Sequence, residues 1–229
     1  MKRSEINAIL ESAVLFLDEY RYALPPWASW RPADWAGAGE EAREIFANAL
    51  GWDVTDFGSG DYRRRGLFLF TVRNGKPGRD RKPYAEKIMI VEENQETPMH
   101  FHFFKMEDII NRGGGKLVIE LYSSDEREGL STDPLEVSVD GIRREIRAGD
   151  RVTLGNGESI CLEPGVYHRF WAEGGRALIG EVSMANDDVH DNRFLEPVGR
   201  FPEIEEDVEP LRLLVGDYPR FVKAAGEGA

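Results

Sequence analysis

The sequence predicts an all-β core, a barrel of antiparallel strands, preceded by a helical extension. Between residues 66 and 183, about ten short apolar or alternating segments are separated by turn residues at close spacing, as in sandwiches and jelly rolls. Helical repeats do not alternate with these segments, although a parallel sheet would need helices there. Near the start, by contrast, Ile6, Leu10 and Ala13 recur at helical spacing.

We expect one domain of 229 residues with three parts. Residues 1–59 form the helical extension, with a first helix that Ser4 can cap and a second helix over residues 32–50. Residues 60–184 form the barrel. Residues 185–229 are irregular and acidic but hold too many apolar side chains for a disordered tail, so we expect them to pack back on the barrel.

The predicted strands cover residues 66–73, 86–92, 99–104, 116–122, 135–139, 142–147, 151–154, 159–162, 166–172 and 176–183. Asp140-Gly141 predicts a tight hairpin between the fifth and sixth of these segments. Two-residue turns at Asn94-Gln95 and at Gly174-Gly175 predict two further hairpins, whose registers would fix which side chains share a face.

Charge and composition exclude several classes of partner. The formal net charge is −13, whereas nucleic-acid binding needs a basic surface to neutralise phosphates. No stretch approaches the roughly 20 apolar residues of a membrane span, and acidic residues interrupt the apolar ones near the start, so we expect neither a membrane segment nor a signal peptide. Cys161 is the single cysteine, which fits a reducing compartment. We therefore expect a cytoplasmic protein.

Three of the four histidines stand in a pattern that is typical of metal ligands. His100 and His102 are two residues apart on a predicted strand and therefore share a face, and Glu107 follows where that strand turns. His168 begins a later strand after a Pro-Gly turn. Three imidazoles and one carboxylate suit a divalent first-row metal. The alternative is that these histidines are unrelated residues with separate hydrogen-bond partners.

At these positions the sequence resembles the cupin superfamily. Its first motif, His-x-His followed by Glu and then Gly, matches His100, His102, Glu107 and Gly113 or Gly114. Its second motif, Pro-x-Gly-x-x-His followed by Asn, is matched only in part. Gly165 and His168 fit this second motif, but Glu163 stands at the proline position and Ala172 at the asparagine position. The resemblance implies a cupin (double-stranded β-helix) barrel with the four ligands inside it.

The predicted hairpins add two charged residues to the site. A turn at Gly174-Gly175 would pair His168 with Glu181, which makes Glu181 a candidate base or an orienter of a ligand. A turn at Asn94-Gln95 would set Lys87 opposite His102, where an inward ammonium group could polarise a substrate oxygen. Alternatively, Glu181 and Lys87 lie on solvated strand faces.

More of the chain than these motifs resembles the larger D-lyxose isomerases: the opening residues 1–7, and residues 84–115, 180–186 and 191–197. The resemblance implies an aldose–ketose isomerase that interconverts D-lyxose and D-xylulose, with activity on D-mannose and D-fructose, by proton transfer through a cis-enediol. It implies manganese, with cobalt, iron, zinc or nickel as alternatives, and catalysis by Lys87 and Glu181. Asp191 and Arg193 would hold distal sugar hydroxyls, and an acidic residue from 203 to 207 could also reach the site.

Two other functions remain open at this point. A non-haem iron dioxygenase would use the same four ligands, and a non-catalytic sugar-binding cupin would use the same barrel. No basic helix pair favours a nucleic-acid partner. Since cupins commonly pair through their barrels, we expect a homodimer that binds a small sugar.

Overall fold

The structure, a computed structural model, describes residues 1–185, 187, 190–199 and 202–222. Its centre is a sheet of eleven strands whose pairings are all antiparallel. The strands are β1 (Gly51–Thr55), β2 (Leu67–Arg73), β3 (Tyr84–Val91), β4 (Thr97–His102), β5 (Glu107–Ser123), β6 (Leu135–Val139), β7 (Ile142–Ile146), β8 (Arg151–Leu154), β9 (Ser159–Leu162), β10 (Val166–Met184) and β11 (Asn192–Phe194).

The neighbours along the sheet are β1-β2-β3-β10-β5-β9-β6-β7, while β4 pairs with β10 and β11, and β8 pairs with β5. The predicted hairpin at Asp140-Gly141 is confirmed, because Val139 lies opposite Ile142 and both turn residues have positive φ, 51° and 78°. One large apolar cluster, which includes Leu117, fills the space inside the strands.

The first predicted helix is confirmed as α1 (Arg3–Glu19), whose apolar residues pack on the outer face of β1, β2 and β3. Its cap differs from the prediction, because the side chain of Asp207 accepts the backbone N–H of Ser4 at 2.9 Å. The helix expected over residues 32–50 breaks into α2 (Pro32–Trp35), a 3-10 turn and α3 (Arg43–Ala47), since Gly37 and Gly39 interrupt it.

Strand β1 starts at Gly51, inside the part of the chain that was expected to be helical, so the strands begin earlier than predicted. The last helix, α4, covers Tyr218–Phe221. No helix in the described ranges combines the length and the apolar character that crossing a membrane would require.

Strands β5 and β10 form one long ribbon that bends in the middle. They pair from Val166 opposite Ser123 at one end to Ser183 opposite Glu107 at the other. The prediction of a hairpin at Gly174-Gly175 is wrong, because both residues belong to β10, which continues through them. Opposite them, Gly114 has a φ of 89°, and a Cβ there would lie 2.3 Å from a backbone oxygen of β10. Glycine therefore allows the two strands to bend together.

The bend folds the ribbon back on itself. His168 lies opposite Leu121, and Leu121 and Glu107 stand near opposite ends of β5. On a straight strand that separation would be roughly 45 Å. Yet Nε2 of His168 lies 3.2 Å from Oε1 of Glu107. The two halves of the ribbon therefore face each other across the barrel, and their inward side chains meet.

The hairpin predicted at Asn94-Gln95 also does not form. Strand β3 pairs with β2 and β10, whereas β4 pairs with β10 and β11. Lys87 therefore lies opposite Glu181 and Thr71, and not opposite His102 as predicted. The inward direction of Lys87 is nevertheless confirmed, since its side chain is 7% exposed.

The C-terminal segment lies in two places. Residues 192–199 run along β4 and the barrel opening, where Phe194 and Val198 pack against the interior cluster. Residues 202–222 run beside α1, and the fully buried Arg3 holds them through Glu206 and Asp217. Residues 186, 188–189, 200–201 and 223–229 of the predicted segment lie outside the described ranges.

Candidate active site and metal centre

Strand β4 delivers two of the predicted ligands. His100 and His102 both point into the barrel, as their spacing predicts, while Phe101 points outward and packs against Phe103 and Tyr167. The neighbouring strand β10 places His168 directly opposite His100. One nitrogen from each of these histidines lies within 4.8 Å of the others, and all three side chains are buried. The predicted histidine cluster is thus formed.

Glu107, the fourth predicted ligand, lies beside this histidine cluster at the start of β5. Its Oε1 lies 3.3 Å from Nε2 of His102 and 3.2 Å from Nε2 of His168. This oxygen is buried and has no hydrogen-bond partner among the described residues. A buried carboxylate oxygen without a hydrogen bond is costly unless another group, such as a cation, compensates it. Oxygen and imidazole nitrogens converging in this way fit a divalent metal.

Hydrogen bonds fix the ring nitrogens that face the cluster. Nδ1 of His100 lies 2.8 Å from the carbonyl oxygen of Pro98, and Nδ1 of His168 lies 3.0 Å from that of Val166. A carbonyl can only accept, so in both rings Nδ1 carries the proton and Nε2 keeps its lone pair. This is the arrangement that metal-binding histidines need.

Burial and neighbouring charges favour the neutral form of the imidazoles. Burial lowers the pKa of His100 well below 6.5, and the neighbouring His168 and His102 lower it further. Burial, and then the ammonium group of Lys105, lower the pKa of His102. These two rings are therefore neutral near pH 7, as metal ligands must be.

The carboxyl of Glu107 is held in its charged form. Burial raises its pKa, but Lys105 and His102 outweigh burial and bring the pKa well below 4.5. At neutral pH this residue is therefore an anion, which can act as a ligand to a cation.

Lys105 was not predicted from the sequence, although it lies at the centre of the site. Its Nζ is 2.7 Å from Oε2 of Glu107 and 3.1 Å from Oε1 of Glu181, and its side chain is only 2% exposed. It therefore connects a predicted metal ligand to the predicted base. Lys105 lies in the turn between β4 and β5, where no strand alternation indicates the direction of a side chain.

Glu181 lies inside the barrel, as predicted, but its neighbours differ from those predicted. Three groups converge on its Oε1: Lys105, Lys87 at 3.3 Å, and the hydroxyl of Ser183 at 3.0 Å. Burial raises the pKa of Glu181, but Lys105 and then Lys87 outweigh it and bring the pKa below 4.5. Glu181 is thus an ionised carboxylate in a buried place.

One cavity, of about 580 Å³ including the part that opens to solvent, is lined by all six of these predicted residues and by Lys105. The six predicted residues are Lys87, His100, His102, Glu107, His168 and Glu181.

Asp191 and Arg193 do not line this cavity in the structure. The carboxylate of Asp191 accepts the backbone N–H groups of Phe104 and Lys105, at 2.8 and 3.0 Å. Arg193 pairs with Glu128 at the surface, at 2.7 Å. The residue between them, Asn192, does line the cavity but was not predicted.

The acidic residues from 203 to 207 serve the other end of the molecule. Glu205 and Glu206 pair with Lys2 and Arg3, and Asp207 caps α1. The expectation that one of them reaches the cavity is not supported, because their contacts lie at the start of α1.

Comparisons with known proteins identify related sugar isomerases. The sequence model of the D-lyxose isomerase family matches residues 1–218. A D-lyxose/D-mannose isomerase of Serratia proteamaculans is 51% identical over 227 residues, which are 97% of this chain and 100% of the relative. A D-lyxose/D-mannose isomerase of Escherichia coli O157:H7 is 49% identical over 226 residues, or 96% of this chain and 100% of the relative.

Solved structures support the fold. An L-ribose isomerase of Acinetobacter sp. DL28, in complex with L-ribose, superposes with a TM-score of 0.60 at 14% identity, covering 90% of this chain and 98% of that one. An L-ribose isomerase of Cellulomonas parahominis gives 0.58 at 19% identity, with the same coverage. The predicted cupin-like fold, an antiparallel barrel with an N-terminal helical extension, is thereby confirmed. The family match over nearly the whole chain and the two relatives at about half identity show that this chain belongs to the D-lyxose isomerase family.

Proposed function

We propose that the protein is a metal-dependent aldose–ketose isomerase that interconverts D-lyxose with D-xylulose and D-mannose with D-fructose. The observation that carries this proposal is the position of an ionised carboxylate, Glu181, in the same cavity as the His/Glu cluster, with Lys105 bound to both. An isomerase needs these parts together: a site that holds the sugar's carbonyl end, and a base that moves a proton between two carbons.

His100, His102, Glu107 and His168 would hold the metal. When bound there, a divalent cation supplies Lewis acidity that polarises the sugar's carbonyl and acidifies the neighbouring C–H. We propose manganese on the basis of the family resemblance, since the donor set also suits cobalt, iron, zinc and nickel.

Glu181 is the proposed base. It takes the proton from C2 of the aldose while the carbonyl oxygen at C1 gains a proton, which leaves a cis-enediol. It then gives a proton to C1 while the hydroxyl at C2 loses one, which forms the ketose, and Lys87 would relay this hydroxyl proton from one oxygen to the other. Because three donors already converge on Oε1, we assign the proton transfer to Oε2. At neutral pH Glu181 is an ionised carboxylate and can therefore accept a proton.

The two lysines are the proposed partners of the developing charge. Lys87 and Lys105 place ammonium groups beside Glu181, in a buried environment where charge interactions are strong. They can stabilise negative charge on the sugar oxygens while Glu181 holds the proton that it has taken from carbon. In this proposal Asp191 acts indirectly: its carboxylate accepts the backbone N–H of Lys105 and so holds Lys105 in position.

Glu181→Gln tests the base. Incubation of the manganese-loaded protein with D-lyxose should yield D-xylulose, and the variant should bind the same amount of metal but lose turnover by about 10²–10⁴-fold. Glu173→Gln is the matched control, since Glu173 is an exposed glutamate on the same strand, β10. If Glu181→Gln turns over at a rate near that of the parent protein, the base is another residue.

His168→Ala tests the metal centre separately. It should reduce the bound metal, measured by elemental analysis after dialysis, and abolish the activity with it. His190→Ala is the control, because the side chain of His190 is 81% exposed. If His168→Ala retains the full metal content, the assigned ligand set is wrong.

The rival functions give different results in the same experiment. A dioxygenase would consume oxygen when loaded with iron, and a binding protein would retain sugar without forming a ketose. Solvent deuterium appearing at C2 of the aldose would support transfer of a proton over a hydride shift. The homodimer stays a prediction that rests on the resemblance, and the cytoplasmic location stays a prediction that rests on the single cysteine and the composition.

A further inference from the structure

Few polar side chains line the cavity besides those of the His/Glu cluster, Glu181, Lys87 and Lys105, so few are left to bind the distal part of a sugar. Apart from those residues, its polar side chains are Thr55, Thr97 and Asn192, and the remaining lining is apolar. An open-chain pentose held by its first two oxygens still carries three more hydroxyls. Each of these hydroxyls needs a partner when it leaves water.

A bulge in β4 turns Thr97 toward the cavity. Opposite β10, His100 pairs with His168 and Thr97 pairs with Phe170, so three steps along β4 match two along β10. The extra residue shifts the alternation by one, which places Thr97 and His100 on the same inner face. Regular alternation from His100 would have pointed Thr97 outward. Pro98, which has no N–H to donate, lies within this bulge.

The hydroxyl of Thr97 makes no hydrogen bond to any residue within the described ranges. Its side-chain oxygen is buried, and the residue is only 2% exposed. Buried hydroxyl groups are nearly always hydrogen-bonded, and each one without a partner costs stability. Since Thr97 lines the cavity, a ligand there can supply the missing partner.

We infer that Thr97 binds a hydroxyl of the sugar beyond C2 and so contributes to the choice of substrate. The inference rests on the proposed function, since it concerns the same cavity. It identifies Thr97 as a binding residue for the distal part of the chain, where sugars that are identical at C1 and C2 differ from one another.

Thr97→Val is the test, because valine keeps nearly the same shape and removes only the hydroxyl. Its kcat/KM for D-lyxose should fall about tenfold, the usual effect of one hydrogen bond. Thr97→Ser keeps the hydroxyl and should restore most of kcat/KM. In the sugar-free protein, Thr97→Val should unfold at a urea concentration close to that of the parent, because it breaks no hydrogen bond to any residue that the structure describes.

Sugars that lack single hydroxyls identify the partner. The 3-deoxy, 4-deoxy and 5-deoxy forms of D-lyxose are assayed with the parent protein and with Thr97→Val. One of them should be a poorer substrate for the parent but lose nothing further in the variant, because both changes remove the same hydrogen bond. The inference is overturned if Thr97→Val stays within about twofold of the parent, or if the losses multiply for all three sugars.

A binding measurement separates this inference from the proposed function. The alditol made by reducing D-lyxose has all the hydroxyls and no carbonyl, so calorimetry can compare its Kd for the parent and for Thr97→Val without turnover. If the parent makes no ketose, the proposed function fails, while a weaker Kd in Thr97→Val would still support the hydroxyl contact. If the parent isomerises sugar but both proteins bind the alditol equally, the inference alone fails.

Discussion

Replacing Lys105 by methionine would remove the charge that joins the two buried carboxylates. Methionine has a similar length and no charge. Lys105 lies 2.7 Å from Glu107 and 3.1 Å from Glu181, and these three side chains are at most 6% exposed. Removing one partner of a buried ion pair costs about 3–5 kcal/mol. Because Lys87 still contacts Glu181, we expect the lower part of this range, about 3 kcal/mol of unfolding free energy at pH 7.

The dependence on pH follows from the sign of the pKa shifts. Burial raises the pKa of Glu107 and of Glu181, and Lys105 is the largest opposing influence on both, so the net pKa of each is below 4.5. A carboxyl whose pKa is lowered by folding stabilises the protein above its unfolded pKa, and this contribution is lost as the pH falls through the folded value. The destabilisation by Lys105→Met should therefore be full at pH 7 and shrink below pH 4.5.

Urea unfolding followed by tryptophan fluorescence, with EDTA present so that metal loss makes no contribution, measures both effects. Lys116→Met is the matched control, because Lys116 is an exposed lysine of β5 and should change the free energy of unfolding by less than about 0.5 kcal/mol. A deficit below about 1 kcal/mol for Lys105→Met, or one that does not shrink in acid, would refute the reasoning.

Further predictions concern the surroundings of the site. Asp191→Asn leaves one of two backbone N–H groups without its acceptor, so kcat should fall about tenfold with little change in KM, as steady-state kinetics can show. Gly114→Ala, which would place a Cβ 2.3 Å from a backbone oxygen, should destabilise the fold by more than about 3 kcal/mol, whereas Gly175→Ala, with open space around its Cβ, should cost about 1–2 kcal/mol in urea unfolding. Lys87→Met removes one of the two ammonium groups that lower the pKa of Glu181. The pKa of Glu181 should therefore rise, and the acid limb of kcat/KM should move to higher pH.

The ligand cluster was predictable because strand alternation is a local rule. His100 and His102 share a face on any regular strand, and the glycine turn before His168 indicates where the next strand begins. The tight Asp140-Gly141 hairpin was predictable for the same reason, since only a few residue pairs suit its positive φ angles.

The long-range pairing of β5 with β10 could not be predicted from local rules. The sequence of Gly174-Gly175 fits a hairpin turn as well as it fits a bend in a continuous strand. The partner strand decides between the two, and Gly114 with its neighbouring glycines provides the matching flexibility some sixty residues away in the chain. Glu181 was placed in the site for a partly wrong reason. The register of β10 against β5 sets Ser183 opposite Glu107 and so brings Glu181 close to Glu107, whereas the bend, and not a hairpin, brings His168 to the same place.

Lys105, Asn192 and Thr97 were missed for three different physical reasons. Lys105 lies in a turn, where side-chain direction follows from the hydrogen bonds of Asp191 rather than from spacing. Asn192 belongs to a short strand that adds to β4 from a distant part of the chain. On a regular strand the side chain of Thr97 would point outward, and only the bulge turns it inward. Pro98 is the one local signal that could have suggested that bulge.

The bent ribbon has a consequence for hydrogen exchange and local opening. Glu107 is held by the second half of β10 and His168 belongs to the first half, so straightening the bend would separate these two residues. A cation that binds both should therefore oppose any fluctuation that opens the barrel at the glycines, and its effect should grow with its free concentration over its Kd. The amides on both sides of Gly114 and Gly175 should exchange more slowly with solvent as metal is added. The exchange rate of these backbone amides therefore measures how much of the metal centre is occupied.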